Sequence, residues 1–250
     1  MRLDVHSVAN VRDLGGYETP TGPTLPHRFL RCGGTASVTK KDLEALRKWG
    51  VRRVLDLRSA GESPRATCRF SRQPWVTWEN VGLYDVDISS PTMMPTHDTN
   101  NYLVTSYLHM LATTNAIRQI FRFCGEAKPD ECVLFHCAAG MDRTGMVAML
   151  LLGLANVPRE KVIADYCYSF GPKHQVDSAV HERFVASDQS ARKRKHRKGD
   201  FFSCLLQTRL EAIAEVYDTL IQTHGSTQAF LESCGVSTGT LDAVRDHLLC

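Results

Sequence analysis

The sequence predicts an α/β fold: a central, mainly parallel sheet flanked by helices, followed by a helical C-terminal part. Two observations carry this prediction. Short β-branched or apolar runs alternate with longer segments of helical spacing, the pattern that places parallel strands in one layer and helices on its faces. In addition, Leu134-Phe135-His136 reads as the end of a buried strand, and Gly145 to Leu152 reads as an apolar helix interior. The loop joining them therefore lies at the carboxyl end of a strand, where ligands bind in open α/β sheets.

Each element follows in order. The segment up to about Gly34 is rich in Gly, Pro and Thr and is predicted to form turns with short extended pieces. Thr39-Lys40-Lys41-Asp42 opens a helix with Leu43, Leu46 and Trp49 on one face, stopped at Gly50. Val51 to Leu57 and Trp75 to Val81 are predicted strands, the second with less regular alternation. Pro91 to Asn100 reads as loop. Tyr102 to Gly125 has helical spacing with a break near Thr113-Thr114, and Lys128-Pro129-Asp130 turns the chain into the strand ending at His136. Pro158 begins a helix through Val162, Ile163 and Tyr166, and Leu205 to Thr223 and Ser237 to Leu249 are further helices. A chain of 250 residues with 43% hydrophobic content suits one domain over residues 1–250.

Composition bounds the function. Met1-Arg2-Leu3-Asp4-Val5-His6 lacks the pattern of a signal peptide, and no apolar run is long enough to span a bilayer. A net charge of +3 gives no reason to expect nucleic acid as a partner. Nine cysteines without paired spacing suit a reducing cytoplasm better than a disulfide scaffold. Without Cys-x-x-Cys or His-x-x-x-His, the spacing supports neither a metal site nor a cofactor.

The chemistry concentrates in His136-Cys137-Ala138-Ala139-Gly140-Met141-Asp142-Arg143-Thr144-Gly145. Backbone N–H groups at the start of a helix converge on one point and favour an anion there. A free cysteine is mostly thiol at neutral pH, but a helix N-terminus and a guanidinium favour the thiolate. Cys137 can then attack phosphorus and form a covalent intermediate. Arg143 offers a planar fork that matches two phosphate oxygens, and with the amides of Ala138 to Arg143 it stabilises the transition-state charge. Thr144 can donate its hydroxyl hydrogen to the sulfur, and His136 is read as fixing the loop's shape. This coincidence of nucleophile, anion nest and cation predicts a phosphate-ester hydrolase that works through a thiolate.

These residues resemble the cysteine-dependent protein-tyrosine phosphatases. Within them the match is to the bacterial and fungal atypical tyrosine/serine phosphatases, whose loop usually reads His-Cys-x-x-Gly-Lys-Asp-Arg-Thr-Gly. Asn10 to Tyr17, Phe29 to Gly33, and Val54 to Ser59 with Glu62 after it resemble further motifs of that family, as does the closing stretch from Gly225 to Leu248. The resemblance implies the tyrosine-phosphatase fold and hydrolysis of phosphotyrosine, with phosphoserine and phosphothreonine as further substrates, in phosphorylated proteins or peptides. Met141 stands where the family usually has a lysine credited with holding polyanionic headgroups, which weakens the alternative of a phosphoinositide or inositol-phosphate phosphatase. A pseudophosphatase that only binds phosphorylated partners is disfavoured because Cys137, Arg143 and Thr144 are all present, and a rhodanese-type sulfurtransferase usually has a loop one residue shorter. The cysteine usage points to a cytoplasmic enzyme, and the resemblance leaves open the leaderless export known for some relatives of this family.

The resemblance points to Asp142 as the proton donor to the leaving oxygen; Asp85 and Asp87, past a predicted strand, are the competitors. Arg12 and Asp13 are expected to pair with each other or brace the loop, and Asp56 and Arg58 to support it indirectly. Arg192 to Lys198 is a basic block within about 171–202, where this family often carries an insertion over the site. It is read as a solvated loop, against the alternative of a lid that gathers acidic phosphoproteins or an anionic membrane surface carrying phosphoinositides.

Overall fold

The computed structural model describes residue 3 and residues 5–62, 68–84, 99–169 and 198–250, without the side chains of 99–101 and 198–206. Five strands form one sheet: β1 (Arg12–Asp13), β2 (Phe29–Cys32), β3 (Val51–Asp56), β4 (Thr77–Asn80) and β5 (Cys132–His136). Their spatial order is β1-β2-β5-β3-β4, with β1 antiparallel to β2 and every other pairing parallel. The mainly parallel α/β sheet that the sequence predicts is therefore present.

β5 is central, and all five of its residues are buried. Its alternation divides the interior, with Val133 and Phe135 entering one core and Cys132 and Leu134 the other. Such a strand reads as a continuous apolar run because helices cover both of its faces. On β3, Val51 and Val54 reach the same core despite opposite parity, because the register shifts between Val51 and Arg53.

One face of the sheet is covered by α1 (Lys40–Trp49), whose Leu43, Leu46 and Trp49 are buried. Thr39 caps it by accepting from the Asp42 N–H at 3.1 Å, and it stops before Gly50, as the sequence predicts. The other face carries α2 (Thr99–Ala112), α3 (Thr114–Gly125), α4 (Asp142–Leu154), α5 (Arg159–Tyr168), α6 (Lys198–His224), α7 (Thr227–Ser233) and α8 (Thr238–Leu249). In α4 every residue from Arg143 to Leu154 is buried, so this helix is apolar all round and runs through the middle of its layer. Among the described residues, no helix is long and apolar enough to cross a membrane.

Several boundaries differ from the sequence expectation. The strand expected over Trp75–Val81 is limited to Thr77–Asn80. α6 begins at Lys198, seven residues before Leu205, so residues 198–202 of the expected insertion form its first turns. α7 has no counterpart in the expected elements; Ser226 caps it by accepting from the Ala229 N–H at 3.0 Å. The rest of the basic block, and residues 91–98 of the expected loop, lie outside the described residues.

Candidate active site

The carboxyl ends of three parallel strands meet here. Cys32 on β2 and Asp56 on β3 both register against His136, the last residue of β5, and Cys137 follows directly. Cys137 is 3% exposed, at the base of a loop that runs through Met141 into α4. The first N–H groups of α4 have no partner within the helix and are directed toward this loop.

The loop's curvature depends on Gly140. Its φ is +70°, and a Cβ there would lie 2.5 Å from the Cys32 carbonyl carbon and oxygen. The turn is therefore pressed against the end of β2 where only glycine fits. The Gly34 N–H donates to the Ala138 carbonyl at 2.8 Å, which fixes the loop's other side. The Gly140 carbonyl accepts from Asn10 Nδ2 at 2.6 Å and from Arg31 Nη2 at 3.0 Å. Gly145 lets α4 meet α5, since a Cβ there would lie 2.5 Å from the Tyr166 ring.

Arg143 is 4% exposed, and Glu62 accepts from its Nη1 at 2.5 Å and from its Nη2 at 2.9 Å. Burial works against its charge, but the Glu62 pair and the negative charge of a Cys137 thiolate outweigh this and raise its pKa. Glu62 moves the other way: burial would raise it, yet Arg143 and the Ser59 N–H hold it below the usual carboxylate range. The pair fixes the guanidinium plane before any substrate arrives. The Thr144 hydroxyl is fully buried and has no hydrogen-bond partner among the described residues.

Asp142 is the first residue of α4. Its Oδ1 accepts from Tyr107 Oη at 2.5 Å, from Tyr166 Oη at 3.0 Å and from Arg209 Nη1. Burial alone would raise its pKa, but the Arg209 charge and the two hydroxyls hold it below the usual range. Four helices, α2, α4, α5 and α6, thus converge on one carboxylate. Asp85 and Asp87 lie outside the described residues.

Of the supporting residues, Arg12 and Asp13 are not partners of each other. Arg12 and Asp13 make their contacts elsewhere: Arg12 Nε donates to Asp165 Oδ1 at 2.9 Å, while Asp13 accepts from the N–H groups of Gly15 and His27. Burial raises the Asp13 carboxyl. Arg12 also donates to the Asn10 side chain that holds Gly140, so it reaches the loop through Asn10. Asp165 binds Arg12, Arg31 and Tyr17 at once, and these outweigh burial to keep its carboxyl low. Arg31 is completely buried, which lowers its pKa to about 10 despite Asp165. Arg58 pairs with Asp56 through Nε at 2.9 Å and Nη2 at 2.7 Å. His136 lies 3.9 Å from the same carboxylate, and burial lowers its pKa.

The site residues that sequence reasoning missed are Asn10, Arg31, Asp165, Tyr107, Tyr166 and Arg209. Asn10 and Arg31 stood inside the quoted motifs; the others gave no local signal, because their partners are 24 to 153 residues away.

The family model of the tyrosine phosphatase family matches residues 3–250. A tyrosine-protein phosphatase of Nostoc commune is 27% identical over 230 residues, covering 88% of this chain and 74% of its own. A triple specificity protein phosphatase of Mycobacterium tuberculosis is 25% identical over 275 aligned residues, 96% of each chain. Among solved structures, that of PTPMT1 in complex with PI(5)P covers 67% of this chain and 96% of its own at 21% identity and a TM-score of 0.33, too loose a likeness to carry an argument. With the match running almost from end to end, the chain belongs to the tyrosine phosphatase family.

Proposed function

We propose that this phosphatase hydrolyses phosphotyrosine in proteins or peptides, and phosphoserine and phosphothreonine as further substrates, through a cysteinyl-phosphate on Cys137. The observation that carries the reading is the buried Cys137 at the head of a glycine-shaped loop, with Arg143 already clamped by Glu62. The amides of Ala138 to Arg143 cradle the phosphate, and Arg143 adds charge where the transition state spreads it over the equatorial oxygens. The thiolate attacks phosphorus, the bond to the ester oxygen breaks, and protonated Asp142 gives that oxygen its proton. Water then attacks phosphorus, the Asp142 carboxylate takes the water's proton, and the phosphorus–sulfur bond breaks. The partnerless Thr144 hydroxyl supports its role as donor to the departing sulfur.

Because Arg209 and two tyrosines keep the Asp142 carboxyl low, the proton-bearing enzyme is a small fraction at neutral pH. Turnover should therefore rise toward acid. Met141 packs against the main core and adds no cation at the rim, which favours singly phosphorylated side chains over polyanionic inositol headgroups. The eight described cysteines are all free, which supports work in a reducing cytoplasm.

The test is release of p-nitrophenol from p-nitrophenyl phosphate in EDTA by the wild type and by Cys137→Ser, followed by turnover of a phosphotyrosine peptide against a soluble phosphoinositide. Turnover that vanishes in the variant, with the peptide preferred, is expected. Equal turnover in both proteins would remove Cys137 from the mechanism, and a preference for the phosphoinositide would reverse the substrate assignment.

A further inference from the structure

At the base of the phosphate loop, the fold gathers a second group of donors that no sequence spacing announces. Asp56, Cys68 and His136 are each fully buried, and one ligand atom from each lies within 4.8 Å of the other two. They come from three separate pieces of chain: the end of β3, the segment before the 3-10 turn Phe70–Arg72, and the end of β5. Thr35 Oγ1 stands beside them, 3.5 Å from His136 Nε2 and 3.9 Å from Cys68 Sγ.

The imidazole is the informative member. His136 Nδ1 lies 3.2 Å from the Cys137 carbonyl, an acceptor, so Nδ1 carries the hydrogen and Nε2 is left with a bare lone pair. Among the described residues, that lone pair has the long hydrogen bond from Thr35 at 3.5 Å and lies 3.9 Å from Asp56 Oδ2. A wholly buried nitrogen whose hydrogen bond is at the long limit, with a carboxylate and a thiol beside it, can take a stronger partner.

We propose that Asp56, Cys68 and His136 form a zinc-binding site with three protein ligands, its fourth corner facing Thr35 Oγ1. The donor set of one sulfur, one imidazole nitrogen and oxygen suits this borderline-soft ion. Zinc bonds of about 2.3 Å to sulfur and about 2.1 Å to nitrogen or oxygen place tetrahedral donors about 3.4–3.6 Å apart. The Thr35 and Asp56 oxygens, 3.5 and 3.9 Å from Nε2, lie no more than about 0.5 Å beyond that spacing, and the three ligand atoms, now within 4.8 Å of one another, draw together by side-chain rotation. A thiolate and a carboxylate bring two negative charges to the ion, the carboxylate's shared with the Arg58 guanidinium. Asp56 Oδ2 keeps the Arg58 hydrogen bond while it ligates, since each carboxylate oxygen has two lone pairs. An ion on Nε2 polarises the imidazole and strengthens its Nδ1–H donor to the Cys137 carbonyl, which braces the stem of the loop.

The test uses Cys137→Ser, so that zinc on the nucleophile does not enter the result, alone and combined with Cys68→Ser or Cys68→Ala. After overnight dialysis against zinc, Cys137→Ser should hold one ion per chain and melt at a higher temperature than its chelated form. Cobalt in place of zinc should give a thiolate-to-metal charge-transfer band. Both double variants, shown folded by their melting curves in chelator, should bind at least tenfold more weakly and lose the band. Unchanged affinity without Cys68, or no bound zinc in Cys137→Ser, would overturn the assignment. Neither outcome decides the proposed cysteinyl-phosphate chemistry, in which the ion takes no step.

Discussion

Arg209 stands 67 residues from Asp142, yet its guanidinium donates to the same carboxylate oxygen as Tyr107 and Tyr166. The side chains of the pair are 10% and 18% exposed. Replacing Arg209 with Met removes the cation while keeping most of the apolar stem. Breaking one side of a buried pair costs about 3–5 kcal/mol. Here both tyrosine hydroxyls still donate to the stranded carboxylate, so a loss of about 2–3 kcal/mol is expected. For a chain of this size that lowers Tm by about 4–12 °C. The carboxyl must also rise, because the charge that held it low is gone. In the folded wild type it sits below its unfolded value. Its contribution to stability is therefore in place above the unfolded value and is lost as pH falls through the folded one. Two assays follow. The pH–rate profile of Arg209→Met should show its alkaline limb displaced to higher pH, since the proton donor holds its proton longer. Its Tm should also fall less steeply than the wild type's between about pH 6 and about pH 3. A folded variant with an early Tm but an unmoved alkaline limb would refute the link between Arg209 and the donor.

Three further outcomes follow from the same geometry. Glu62→Gln weakens the clamp on Arg143, and losing about 1.5–3 kcal/mol of charge-assisted bonding should lower kcat/KM about ten- to a hundredfold in steady-state assays. Gly140→Ala brings a Cβ within 2.5 Å of Cys32 backbone atoms at positive φ, so turnover should disappear and Tm should fall by about 4 °C or more for a loss of about 2 kcal/mol. Asp142→Asn should cut turnover of phenyl phosphate by about 10²–10⁴-fold and of p-nitrophenyl phosphate far less, because only the poorer leaving group needs the proton. Equal losses on both substrates would make Asp142 an anchor of the loop and not its acid.

What could be read from the chain was local. Thr39 and Gly50 delimit α1 because capping is a matter of a few neighbouring residues, and the break at Thr113 separates α2 from α3 as the spacing predicts. The strand–loop–helix around Cys137 was legible for the same reason: β5 is buried on both faces and α4 on all sides, so both are unbroken apolar runs. Asp56 ends β3 beside the loop and Arg58, two residues beyond, pairs with it. The partners of Arg12 and Asp142 were hidden because they arrive from α2, α5 and α6, and nothing in Asp165 or Arg209 distinguishes a buried ion pair from a solvated charge. The early start of α6 escaped because Lys198-Gly199-Asp200 carries no helical periodicity. The Asp56, Cys68 and His136 group was invisible for a similar reason: three strangers in sequence become neighbours only when β3 registers against β5.

The account's central claim is covalent chemistry at Cys137, and the most direct measurement is to trap the intermediate. Rapid acid quench of the wild type turning over a labelled aryl phosphate, followed by peptide mapping, should find phosphate on the peptide that carries Cys137. A burst of phenol equal to the enzyme concentration should accompany it. Label on another residue, or full turnover by Cys137→Ser without any trapped phosphoenzyme, would contradict it.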